Sequence, residues 1–130
     1  MGSAEFHNFY RRYIAALNAR EFDFVETLIA DDVLMNDVPS KRADVMASLR
    51  HHVDAVPDFV WHIEDLLVEG DRIGAKLRDT GTPRKEWWGL APTGASVEYA
   101  EHCFYTVRDG RFVDMAYLMD VRTVAEQLAA

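Results

Sequence analysis

The 130-residue chain has a single cysteine, Cys103. That excludes an intrachain disulfide and any cysteine-rich metal centre. Four prolines and seven glycines leave no stretch that reads as a linker or a low-complexity segment. No apolar run approaches the roughly 18 residues that span a bilayer. Residues 1–20 place Glu5, His7, Arg11 and Arg12 where a secretory signal would be apolar. These absences predict a cytoplasmic protein of one domain, residues 1–130. Basic residues are also few: 14 Lys and Arg against 22 Asp and Glu, a formal net charge of −8. An acidic chain with no basic stripe is repelled by nucleic acid and by anionic membranes, so neither is expected as a partner. A Gly-rich phosphate loop, a nucleophile elbow and a Ser/His/Asp order are all missing. His51-His52-Val53-Asp54 offers a metal two ligands without a third, and reads as a solvated helix face. No metal and no cofactor are expected.

What the chain does contain is periodicity. Phe6, Phe9, Tyr10, Tyr13, Ile14 and Leu17 recur at three- and four-residue steps, one face of a helix over Phe6–Ala19. A shorter helix is predicted from Asp23 to Ile29, closed by Asp31-Asp32. A short strand over Val33–Asp37 runs into a turn at Val38-Pro39-Ser40. A third helix spans about Arg42 to Val56. From Pro57 onward the texture is of strands: Phe59–Val68, Arg72–Thr80, Val97–Val107 and Phe112–Asp120, with turns at Glu69-Gly70-Asp71 and Arg108-Asp109-Gly110. Val121–Leu128 reads as a terminal helix. Helices first and strands after predict an α+β fold, a curved antiparallel sheet covered by N-terminal helices. Such a cone has one apolar mouth, suited to a small molecule.

Several side chains stand out against this frame. Asp37 ends an apolar segment, where poor hydration would raise its pKa and ready it to exchange a proton; it equally suits a turn acceptor before Pro39. Asp120 ends the last strand, placed either as an acid–base group or as the N-cap of the helix after it, and a cap makes a poor base. His102 shares a strand face with Glu98, Ala100, Phe104 and Thr106, where it would relay a proton or bind a ketone oxygen. Tyr13, on the apolar face of the first helix, would donate to a developing enolate. Asp79 keeps step with Ile73, Ala75 and Leu77, so alternation puts a carboxyl on the apolar side. Trp61, Trp88, Phe104, Met115, Tyr117 and Met119 would wall the pocket for a flat ligand. Cys103 reads as packed rather than reactive.

The stretches Arg12–Ala19 and Phe24–Val33 resemble the opening of the nuclear-transport-factor-2-like superfamily, which includes ketosteroid isomerases. Gly89–Val97 and Phe104–Asp114 resemble its SnoaL-like polyketide cyclase branch, and the likeness covers nearly the whole chain. It implies a cone-shaped α+β barrel. It further implies that Tyr13 stands at the isomerase tyrosine and Asp37 at the isomerase proton-transfer aspartate. His102 stands where the isomerases carry a third acid. Asp120 matches the acid–base aspartate of the cyclases, with Ala116 where they usually carry tryptophan.

The expectation is a cofactor-free enzyme that takes a proton alpha to a carbonyl in a small apolar or aromatic substrate. Asp120 or Asp37 would be the base, and Tyr13 and His102 the oxygen donors. Ring closure by intramolecular aldol condensation is the expected reaction. Double-bond isomerisation, epoxide hydrolysis and ligand binding without turnover are the alternatives. A homodimer is expected through the sheet face, with Tyr99, Glu101, Cys103 and Tyr105 pointing outward.

Overall fold

The computed structural model describes residues 1–130. Helix α1 spans Ser3–Asn18 and α2 Phe22–Thr27; strands β1 (Ile29–Met35) and β2 (Val38–Lys41) precede α3 (Arg42–Ala55). Strands β3 (Val60–Glu69), β4 (Arg72–Gly81), β5 (Val97–Arg108) and β6 (Arg111–Met119) follow, and α4 (Val121–Ala129) ends the chain. One curved six-stranded sheet runs in the order β2-β1-β6-β5-β4-β3. Every neighbouring pair is antiparallel except β1 and β6, which run parallel. The α+β barrel read from the sequence is the fold observed. No helix is long and apolar enough to cross a membrane.

Strand β2 is the element the sequence reading lacks. Asn36 and Asp37 have φ of 47° and 68°. This left-handed pair makes a two-residue hairpin turn, a conformation that Asn and Asp tolerate better than most residues. The chain reverses there, and Met35 pairs with Val38. Pro39 lies on this short edge strand, where its missing N–H costs the ladder little. Asp31 and Asp32 lie within β1 rather than closing a helix.

The helices are held over the sheet by specific contacts. Tyr10, Tyr13, Ile14 and Leu17 of α1 are buried. The Tyr13 ring meets Phe112 edge-on at 4.7 Å, and Tyr10 Oη lies 3.1 Å from Tyr105 Oη. At the end of α1, Asn18 Nδ2 donates to the Trp61 carbonyl and Asn18 Oδ1 accepts from the Trp61 N–H, both at 2.9 Å. That reciprocal pair fixes the helix end against β3. Gly81 closes the other side: a Cβ there would sit 2.5 Å from Val56 Cγ1 and 3.3 Å from Phe59 Cα, so only glycine lets β4 pass under the α3–β3 connection.

Candidate active site

Between α1, α3 and the concave face of the sheet lies a pocket with about 650 Å³ of unfilled space, counted out through its mouth. Sixteen residues line it and thirteen are hydrophobic. Its floor comes from the inward phase of the strands. On β5 that phase is Val97, Tyr99, Glu101, Cys103, Tyr105 and Val107, all buried. Beside Glu101 lie Leu77 of β4 and Met119 of β6. Glu101 is 9% exposed and is the one acidic residue on the pocket wall.

Asp79 lies deeper, with no exposed surface. It pairs across the strands with Trp61 and Tyr99, on the same face as Glu101. Neither carboxyl oxygen has a hydrogen-bond partner. Burial first, and then the proximity of Glu101, push the Asp79 pKa far up, so it keeps its proton. An unpaired buried carboxylate is costly, whereas a buried acid is neutral.

The opposite wall is built by α3. Val45, Leu49 and His52 recur at helical steps and all line the pocket. His52 is buried, not part of a solvated face, and its ring packs edge-on against Phe59 at 4.1 Å. Trp87 Nε1 donates to His52 Nδ1 at 3.1 Å. His52 Nε2 has no partner in the protein. Burial, reinforced by the Arg20 and His51 charges, pushes the His52 pKa down to about 3. The ring is therefore neutral, and because Nδ1 accepts, the hydrogen is on Nε2.

Trp87 is placed by a tight turn in the long β4–β5 connection. Trp87 and Leu90 exchange both backbone hydrogen bonds, at 3.0 and 2.9 Å. Trp88 and Gly89 between them have φ of 54° and 73°. Such a turn sends the two indoles different ways. Trp87 is 1% exposed, while Trp88 is 46% exposed on the pocket wall, 6.5 Å from the Tyr117 ring. The connection is tied to α3 by a Lys85–Asp54 ion pair at 2.9 Å and by the Arg84 N–H to the Ala55 carbonyl at 2.8 Å.

The residues named from sequence divide sharply. Tyr13, Trp61, Trp88, Met115, Tyr117 and Met119 line the pocket, and Asp79 lies beneath it. Burial raises the pKa of the Tyr13 hydroxyl, so it stays a neutral donor. Asp37, Asp120, His102 and Phe104 are not in the pocket. Asp37 is exposed in the hairpin turn, which Asn36 anchors by accepting from the Tyr117 N–H at 2.7 Å. Asp120 is the exposed N-cap of α4: it accepts from the Thr123 N–H at 3.1 Å and from the Thr123 hydroxyl at 2.7 Å. Those bonds lower its pKa, the opposite of what a base at neutral pH needs. His102 and Phe104 occupy the outward phase of β5, and Phe104 is 62% exposed. The expected inward and outward faces of β5 are thus exchanged: Tyr99, Glu101, Cys103 and Tyr105 point inward. Glu101, His52 and Ser48 are the three polar pocket residues that sequence reasoning missed. No three His, Cys, Asp or Glu side chains converge where they could hold a metal ion.

A sequence model of the SnoaL-like polyketide cyclases matches residues 7–128. The chain belongs to this family. Its fold is also that of solved structures. A SnoaL-like polyketide cyclase from Agrobacterium tumefaciens is 25% identical, with a TM-score of 0.87 over 94% of this chain and 96% of that one. TsrD from Streptomyces laurentii is 20% identical, with a TM-score of 0.89 over 100% and 98%. AclR of Streptomyces galilaeus, a proposed hydroxylase, is 22% identical, with a TM-score of 0.86 over 98% of each chain. No curated protein matches the chain in sequence. Family members share the cone; the polar groups inside this one are Glu101 over Asp79, the ring of His52, and the pocket hydroxyls.

Proposed function

We propose that this SnoaL-like protein is a cofactor-free acid–base enzyme that closes a ring in a small, flat, apolar carbonyl compound by intramolecular aldol condensation. Glu101 is its base. The supporting observation is that Glu101 is the one acidic residue on an otherwise mostly apolar wall, backed by a protonated Asp79. A carboxylate with little water around it can take a proton from carbon and return it to oxygen. In the step proposed, Glu101 removes the proton alpha to one carbonyl. The resulting enolate carbon attacks a second carbonyl carbon of the same molecule, forming the C–C bond. That carbonyl's π electrons move to its oxygen, which takes the proton back from Glu101. Nothing is oxidised or reduced. Tyr13 donates to the enolate oxygen, and Trp61, Trp88 and Met119 supply flat apolar contact. A ligand-binding protein would gain nothing from burying two carboxyl groups side by side, which favours turnover over storage.

The test is proton exchange on a bicyclic ketone, 2-tetralone, in deuterated water. The wild-type chain should speed deuterium uptake at the carbon alpha to the carbonyl. Glu101→Gln should lower that rate about 100-fold or more while the fold persists. Wild-type uptake no faster than buffer, or a Glu101→Gln rate equal to wild type, defeats the proposal.

The outer sheet face supports a second element of the reading, pairing of two copies. Leu67, Phe104 and Leu118 are 67%, 62% and 74% exposed there. They lie on β3, β5 and β6, with Leu67 opposite Gly74 of β4, Gly74 opposite Phe104 and His102 opposite Leu118. An apolar patch of this kind marks an association surface.

A further inference from the structure

We infer that the Nε2–H of His52 is a second hydrogen-bond donor, beside the Tyr13 hydroxyl, that holds the ligand's oxygen in this pocket, and that Trp87 is the positioning residue that fixes the tautomer of His52. The inference deepens the function proposed above and rests on it for the oxygen's identity as a carbonyl or enolate. Three observations carry it. The ring is part of the pocket wall, yet Nε2 has no partner in the protein. A buried polar N–H left unmet is unfavourable, and a ligand oxygen satisfies it. The other nitrogen is engaged by an N–H donor that has no alternative state, because an indole nitrogen donates and never accepts. That contact leaves the imidazole one neutral tautomer. The surroundings also keep the ring uncharged: Phe59, Trp61, Trp87 and Trp88 all have ring centroids within 6.5 Å of it. A neutral N–H preset in an apolar site stabilises developing oxyanion charge without reorganising.

Glu101 and His52 then divide the work, with the carboxylate moving protons while the imidazole holds oxygen. In this arrangement His52 neither gains nor loses a proton during the reaction. A histidine acting as the base would need an acceptor nitrogen facing the ligand, and the Trp87 contact removes it.

The probe is a pair of flat ligands of similar shape, 2-naphthol and 2-methylnaphthalene, differing in the oxygen. Binding is measured by tryptophan fluorescence, and the His52 ring nitrogens are followed by ¹⁵N NMR. In the wild-type chain His52 should show a protonated Nε2 and an unprotonated Nδ1. 2-Naphthol should bind about tenfold more tightly than 2-methylnaphthalene and shift the Nε2–H resonance downfield. His52→Phe should reduce the preference at least fivefold while still binding both ligands. Trp87→Phe should populate the Nδ1–H tautomer and reduce the preference several-fold. Should His52→Phe fail to fold, the wild-type spectra decide: an Nε2–H resonance unmoved by 2-naphthol overturns the inference, as does an Nδ1–H tautomer in the free protein. An undiminished preference in a folded His52→Phe overturns it too. None of these readouts depends on turnover. Loss of the oxygen preference together with normal exchange in Glu101→Gln would sustain this inference and defeat the Glu101 assignment; the reverse pattern would do the opposite.

Discussion

Asp79 and Glu101 lie on the same concave face of adjacent antiparallel strands, one opposite Tyr99 and the other opposite Leu77, so two carboxyl groups share one poorly hydrated region. Like charges there cannot both persist, and the deeper group keeps its proton. The pair makes stability depend on pH. In the unfolded chain Asp79 ionises near pH 4, whereas folded it remains protonated far above that. The folded state thus binds more protons above pH 4, and stability falls as pH rises. Thermal melts of Asp79→Asn should therefore lose less stability between pH 6.5 and 8 than wild type, where the Asp79 contribution is about 1.4 kcal/mol per pH unit. Parallel melting curves for the two proteins would contradict this.

His52 acts in the other direction. Its folded pKa, about 3, lies below the unfolded value near 6.5. The unfolded chain binds the proton first as pH falls, so this residue's contribution is complete above pH 6.5 and is lost progressively below it. Between pH 4 and 6.5 the two slopes oppose. Wild-type melting temperature should change little with these two groups across that window. His52→Gln should tilt it so that stability falls with rising pH, and Asp79→Asn should tilt it the other way. Circular dichroism melts at half-unit pH steps check each tilt separately, and an untilted curve for either variant contradicts the assignment of that residue.

Asp37 and Asp120 should be dispensable for exchange chemistry. Asp37→Gly places glycine at φ 68°, where it fits without strain, so the melting temperature should hold or rise and 2-tetralone exchange should match wild type. Asp120→Ala removes both bonds to Thr123 and should lower the melting temperature while leaving exchange within twofold. A hundredfold loss of exchange in either variant would return the base to that carboxylate.

Trp88→Ala should open the mouth without unfolding the chain, because the indole is half exposed. Loss of its aromatic contact should weaken 2-naphthol binding by roughly three- to tenfold, as expected of one stacking partner. The melting temperature should stay within about a degree or two, in line with a surface change.

The double variant Phe104→Glu, Leu118→Glu should shift the chain from dimer to monomer in sedimentation, with 2-tetralone exchange retained. Both side chains stand on the convex face, away from the pocket. An identical mass for wild type and variant would remove this face as the pairing surface.

Most of the architecture was legible because the signals repeat. The α1 stripe from Phe6 to Leu17 and the β4 alternation through Ile73, Ala75 and Leu77 each state their period several times over. The site was less legible because each of its residues breaks a pattern once. Glu101 interrupts an apolar series running Val97, Tyr99, Cys103, Tyr105, Val107; the neighbouring outward Phe104 and His102 draw the assignment to the wrong phase, and a one-residue slip turns every side chain over. His52 continued the stripe Val45–Leu49, but a histidine beside His51 and Asp54 reads as surface. Asp79 obeyed its alternation and was found. Asp37 and Asp120 were misplaced for a different reason: carboxylates are as useful to turns and caps as to chemistry, and only backbone geometry separates the two.

Trp87 and Trp88 share one tight turn. Its two central residues leave no slack between the indole that orients His52 and the indole at the entrance. Any redesign of ligand preference through this loop must keep its length. Inserting one residue would swing the tryptophans past their stations and unset the imidazole while altering the doorway. Point replacement at position 88 is the route that changes admission and spares the interior.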